Sequence, residues 1–327
     1  VPEHLAPVLP LFEESGCRFA IHEKEIYMFE ASKKNKFESG LIISIFILVI
    51  TLIVYYICNA LDLGGLSIVI ALIFSIASAW GSYYYSDKIV LASCHARPAT
   101  KEEDLKLVNI LDALMVTAGL PKKPDLYVVE DAQPNAFATG RNPEHAIICV
   151  TTGLLEKLDY YELEGVIAHE MSHIKNYDIR LSAVVSVFVG LIVMLSDMFS
   201  RVLFWGGTKD RDSDSKANGI LMLLGLICLI LSPIFGTLMQ LALSRKREFL
   251  ADSTAVEFTR NPDGLISALE KLESDPNELQ SANSATANMY IISPFKKNGE
   301  KGKRKSSSLW STHPSTEDRI EALRNIR

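Results

Sequence analysis

The chain has 327 residues, 48% hydrophobic and 22% charged, with a net charge of −6. Its mean hydropathy of +0.17 is high for a soluble protein with that share of charge, so the apolar residues must be gathered into runs. The mildly acidic balance gives no reason to expect nucleic-acid binding. Five scattered cysteines (Cys17, Cys58, Cys94, Cys149, Cys228) without a C-x-x-C pair indicate neither a disulfide framework nor a four-cysteine zinc site.

Residues 1–27 hold five glutamates and prolines at positions 2, 7 and 10, without the basic start and apolar centre of a signal peptide. Met28 opens a stretch that reads as a natural start, so these 27 residues are expected to be an extension of little functional weight. Ser39 to Leu61 and Leu63 to Ser86 carry no charge, and Trp80, Tyr83, Tyr84 and Tyr85 form an interfacial belt at the end of the second run. Both are expected to span a membrane.

Thr100 and Glu103 cap a helix ending near Gly119. Strands follow at Leu126–Glu130 and His145–Val150. Between them, Asn135 to Gly140 reads as a loop entering a strand whose edge could pair with an extended substrate backbone. The alternative there is an ordinary Pro-Asn turn.

Asp159 and Glu162 form a capping box that opens a helix from Tyr160 to Tyr177. It carries His169-Glu170-Met171-Ser172-His173. Residues at i and i+4 share a helix face, so His169 and His173 can bind one metal ion, and Glu170 can reach a water on that ion. This is the H-E-x-x-H arrangement of zinc peptidases.

Leu181 to Ser196 is a third apolar run, short for a span, and Asn218 to Ser244 is a fourth, kinked at Pro233. Glu248 and Asp252 follow at i, i+4 on one helix. A carboxylate there could complete a two-histidine, one-glutamate site, with Asp252 orienting a ligand histidine; an exposed charged turn is the other reading. If Glu248 is a ligand, an even number of crossings separates it from His169. The third and fourth runs then both cross, or both form re-entrant or surface hairpin helices. Crossing is expected, with Asp197 and Arg201 paired near the far interface. Lysines 33, 34 and 36, then Lys88, Arg97 and Lys101, then Arg245, Lys246 and Arg247 flank the spans on the positive-inside face. The N-terminus, the motif helix and the C-terminus are therefore expected in the cytoplasm. Asn261 and Pro262 open another helix through Lys271. The basic run from Lys296 to Lys305 reads as a solvated loop that could rest on anionic lipid.

The motif with Asn176 and Asp178 after it, and Ser244-Arg245 through Glu248 to Asp252, resemble the HtpX family of membrane-bound zinc metalloproteases. So do His95-Ala96-Arg97-Pro98, Pro134 to Gly140, Val150 to Leu155 and Ser311-Thr312-His313-Pro314. The resemblance runs from about Met28 to the end. It implies an integral membrane endopeptidase of protein quality control, in a bacterial inner membrane, acting on protein substrates, chiefly membrane proteins. It also implies one Zn2+ held by His169, His173 and Glu248, with Glu170 as catalytic base. Ser315 departs from the family, which often has a second proline there. CAAX prenyl endopeptidases are more distant relatives.

The expected fold is mainly α: four transmembrane helices with a cytoplasmic zincin-like α+β domain. Residues 1–38 are an extension, 39–86 and 181–243 transmembrane hairpins, and 87–180 and 244–327 the two cytoplasmic parts. In the mechanism Glu170 moves the proton, and His313 is the candidate second donor to the oxyanion, against a plain surface histidine. Asn135 is the candidate substrate contact. A prenyl-protein-type protease and a proteolytically silent membrane scaffold with a zinc site remain the alternatives.

Overall fold

The computed structural model describes residues 17–60, 64–190, 245–277, 279–281, 286–292 and 314–326. Within these, helix α1 (Cys17–Ala60) runs without a break for 44 residues, starting well ahead of the first uncharged run. At about 1.5 Å per residue it is roughly 66 Å long, twice what a hydrocarbon core needs. Its apolar stretch is Ser32–Tyr56, and a second stretch, Gly64–Tyr84, contains α2 (Ser67–Tyr84).

The two helices form a hairpin in which α2 hides its small side chains. Ser67, Ala71, Ser75 and Ala79 are buried, and Ser75 meets Thr51 of α1, oxygen to oxygen, at 2.6 Å. Ile68, Leu72, Ile73, Phe74, Ile76 and Trp80 point outward instead. Only 28% and 22% of an 18-residue apolar segment in each stretch is buried, whereas a core helix of a soluble protein would be mostly covered. Small residues at the contact and large apolar ones outside suit lipid, where helices gain nothing by hiding leucine from water. The hairpin is therefore membrane-associated.

Helix α3 (Ser86–Ser93) leads to a four-stranded sheet of order β1-β2-β4-β3. Its strands are β1 (Arg97–Pro98), β2 (Asp125–Val129), β3 (Ala136–Gly140) and β4 (Ala146–Thr151). The β2–β4 pair is parallel and the other pairs antiparallel. Each long strand sits one residue from its expected bounds. Thr151 ends β4 and caps α5 (Thr152–Lys157), its hydroxyl accepting from Leu154 N–H.

Helix α4 (Lys101–Ala118) has the capping box expected at Thr100 and Glu103, and Gly119 closes it with φ +63°. The motif helix α6 (Tyr160–Lys175) likewise opens on a box between Asp159 and Glu162. It ends two residues earlier than the spacing predicts, because Tyr177 turns the chain with φ +61°. Residues 178–190, here α7, are helical. Val184, Val185, Phe188 and Val189 pack on Ile42, Phe46, Ile50 and Ile53 of α1, with the Phe46 and Phe188 rings stacked at 4.0 Å. The rest of the third run and all of the fourth lie outside the described residues, as do the basic loop and His313.

Helices α8 (Arg245–Thr259), α9 (Pro262–Ser274) and α10 (Thr316–Arg324) complete the body. α6 lies in its centre, burying Leu163, Val166, Ile167 and Met171 against Leu107, Leu111 and Leu114 of α4, Ile148 of β4, and Leu265 and Leu269 of α9. Contact with α9 requires Gly165: a Cβ there would lie 2.8 Å from the Leu265 nitrogen. The site is thus carried on a helix with most of its residues buried, at the centre of the described body.

Candidate metal centre

On α6, His169 is fully buried and His173 partly so, and their Nε2 atoms stand 3.1 Å apart. Each ring is held from behind by a carboxylate: His169 Nδ1 lies 2.9 Å from Asp252 Oδ1, and His173 Nδ1 2.8 Å from Asp178 Oδ2. In the neutral ring, an Nδ1–H donated to a carboxylate leaves Nε2 as the lone-pair nitrogen, so both rings can present an acceptor to one point once His173 gives up its second proton. The Glu248 carboxylate, on α8, faces that point, 3.7 Å from each Nε2.

These residues fit a metal ion. One ligand atom each from His169, His173 and Glu248 falls within 4.8 Å of the others. A tetrahedral zinc with bonds of about 2.0–2.1 Å holds two nitrogens about 3.4 Å apart, close to the spacing here. Glu170, next to His169, is buried with its Oε1 lacking a hydrogen-bond partner. That is a costly arrangement unless a ligand or water completes it.

The electrostatics agree. Burial pushes the Glu170 carboxyl up to about 7, and Glu248 adds to this against the pull of His173 and Arg319. Burial opposes a charge on His173, but Asp178 and Glu248 outweigh it and lift the imidazole to about 9. The His169 imidazole is held below its usual range by burial and by Arg319. A pocket that holds a proton this tightly on His173 is also a pocket for a cation, and metal binding would displace that proton.

Two partners were not assigned from the sequence. Asp178, five residues after His173, holds that ring as Asp252 holds His169. Arg319, on α10, is 2% exposed and grips Asp252 with both ends of its guanidinium, at 2.8 and 2.7 Å. It also donates to the Ile291 carbonyl at 2.8 Å and lies 3.7 Å from Glu248. Burial disfavours the Asp252 charge, but Arg319 overrides it and keeps that carboxyl below the usual range. The sequence signal available was a lone arginine on the inward face of a short capped helix.

Asn135 lies at the start of β3, fully buried. Its Nδ2 donates to the Ile292 carbonyl at 3.2 Å and its Oδ1 accepts from Ala136 N–H. The side chain therefore props the 286–292 segment against the strand. β3 is the sheet edge beside α6, and the Ala136 carbonyl accepts from Ile291 N–H, turning away from β4.

A helix that offers two imidazole nitrogens to one point, with a glutamate between them in sequence, defines the H-E-x-x-H metallopeptidases. The sequence pattern of peptidase family M48 matches residues 101–327. A "Protease HtpX homolog" of Caldanaerobacter subterraneus subsp. tengcongensis is 42% identical over 301 residues, covering 91% of this chain and 98% of that protein. The homolog of Dictyoglomus thermophilum is 42% identical over 301 residues, 92% of this chain and 95% of that protein. A crystal structure of S. mikatae Ste24p is similar with a TM-score of 0.46 and 19% identity, over 90% of this chain and 66% of that one. The chain belongs to peptidase family M48 and, within it, to the HtpX proteases; it is a metalloprotease.

Proposed function

We propose that this protein is a zinc-dependent endopeptidase embedded in a bacterial cytoplasmic membrane, cutting misfolded or damaged membrane proteins, and some soluble ones, at the cytoplasmic face. The observation that carries the reading is the convergence of two carboxylate-backed imidazoles and Glu248 on one point beside buried Glu170. His169, His173 and Glu248 are the zinc-holding residues. When bound, the zinc would supply Lewis acidity to the scissile carbonyl and to an attacking water. Glu170, lifted to about 7, takes the proton from that water and passes it to the leaving amine. Asp252 and Asp178 keep both rings in the tautomer that leaves Nε2 unprotonated. His313 is the proposed second donor to the oxyanion, and the edge of β3 the proposed seat of an extended substrate backbone.

A site carried beside apolar helices supports the reading of membrane substrates. α7 leaves the motif helix at residue 178 and lies along α1, as a third span would. A fourth span would then return the chain to Glu248 on the side of His169. A reporter fused after Lys209 should face away from the cytoplasm; a cytoplasmic signal there sinks the four-span reading.

The deciding experiment compares purified wild type with Glu170→Gln on casein and on a membrane substrate. Wild type should cleave, lose activity in chelator and recover it with zinc, while the variant stays inactive. Equal cleavage by both would end the proposal.

A further inference from the structure

Among the described residues, a buried polar side chain of α1 touches Asp178 behind one ligand-bearing helix and Arg247 on the other. It is Asn35, 2% exposed near the start of the apolar stretch of α1 and four residues ahead of the uncharged run that begins at Ser39. Its Nδ2 donates to Asp178 Oδ1 at 2.5 Å and to the Asn176 carbonyl at 3.0 Å. Its Oδ1 accepts from Arg247 at 3.0 Å, and Arg247 immediately precedes Glu248. We infer that Asn35 is a positioning residue for the metal site, fixing Asp178 behind His173 and Arg247 beside Glu248. The inference rests on the zinc reading above.

The chemistry favours an amide here. Asp178 gives Oδ2 to His173 and Oδ1 to Asn35, so both oxygens are engaged and the carboxylate cannot swing. A neutral donor does this without cancelling the charge that holds His173. The amide oxygen meanwhile keeps the Arg247 guanidinium 3.9 Å from Asp178, short of a close pair, while Arg247 also reaches Glu38 at 3.5 Å. Without Asn35, the nearest substitute donor for Asp178 is Arg247. Its approach would weaken the hold on His173 and shift the residue next to Glu248.

The surrounding geometry serves the same contact. Tyr177 adopts φ +61°, costly for a tyrosine, and Lys36 lies over its ring at 3.8 Å. That turn is what carries Asp178 back against His173. Consecutive residues of α1 therefore brace the turn and the carboxylate, so the first apolar helix is part of the support of the metal site.

The test is zinc affinity by chelator competition on the full chain in lipid nanodiscs, which needs no proteolysis. Losing an outer partner of a ligand histidine weakens metal binding about 10–100-fold, and one step further out we expect about 3–10-fold for Asn35→Ala. The visible absorption of the cobalt-loaded variant at saturation should also shift, which a loss of stability alone would not cause. Asn35→Asp should weaken binding too, by setting like charges together. The exchange Asn35→Asp with Asp178→Asn restores a donor–acceptor pair and should regain affinity over Asn35→Asp alone. If Asn35→Ala does not fold, that exchange decides, and no recovery overturns the inference. Zinc affinity of Asn35→Ala within twofold of wild type, with an unchanged cobalt spectrum, overturns it as well. A wild type that binds no zinc would instead defeat the proposed function.

Discussion

Replacing Arg319 with methionine should cost more stability than any other single change at the site. The variant leaves buried Asp252 facing only His169 and removes the donor to the Ile291 carbonyl. Breaking a buried pair by deleting one partner costs about 3–5 kcal/mol, because the survivor keeps its desolvation penalty. We expect about 4 kcal/mol, a large part of the roughly 5–15 kcal/mol that holds a typical fold together. For a body of this size that is a fall in Tm of roughly 8–16 °C, read by tryptophan fluorescence or calorimetry on purified protein. Arg319→Lys should not rescue, since an ammonium cannot reproduce the two-ended grip on Asp252. Adding Asp252→Asn to Arg319→Met should recover part of the loss, because no unpaired charge then remains. A single variant within about 1 kcal/mol of wild type, or a double variant no better than the single, would refute the reasoning.

Glu248→Gln should lower zinc affinity by about 100-fold or more, beyond what outer partners contribute, as measured by chelator competition; unchanged affinity would remove Glu248 from the ligand set. Gly165→Ala should push α9 off α6 and cost about 1–3 kcal/mol in denaturant unfolding, since its Cβ would meet the Leu265 backbone. Glu162 is buried, which raises its pKa, but Lys271 at 2.6 Å and Ser267 outweigh burial and hold it below 4.5. Its contribution is therefore complete above pH 4.5 and is lost as pH falls through the lowered folded value. Glu162→Gln should be less stable at neutral pH and show a flatter acid decline, and an unchanged decline would count against the pair.

The local features of this fold were readable in the sequence because their causes are local. Thr100 with Glu103 and Asp159 with Glu162 cap their helices by contacts three residues apart, and the structure shows both boxes. The i, i+4 spacing of His169 and His173 needs only a helix. What was not legible depends on tertiary approach. Arg319 reaches Asp252 across 67 positions and Asn35 reaches Asp178 across 143, and no periodicity encodes such partners. Asn135 was expected to contact substrate at a strand edge, and its bond to the Ile292 carbonyl, 157 positions away, had no signal in the sequence. Tyr177 ended α6 early because a left-handed tyrosine has no sequence signature, unlike Gly119 at the end of α4.

The bonds from Asn35 to Asp178 and Arg247, and from Arg319 to Asp252, also join segments that are made at different times during synthesis. His169 and His173 emerge from the ribosome together, long before Glu248, and Arg319 later still. With Glu248 as the proposed third donor, a growing chain without it has an incomplete ligand set, and one without Arg319 leaves Asp252 without its guanidinium partner. Contacts this distant in sequence also form slowly. On the proposed ligand set, the hydrolytic centre is complete only once α10 has emerged, which would spare the growing chain and its neighbours from being cut.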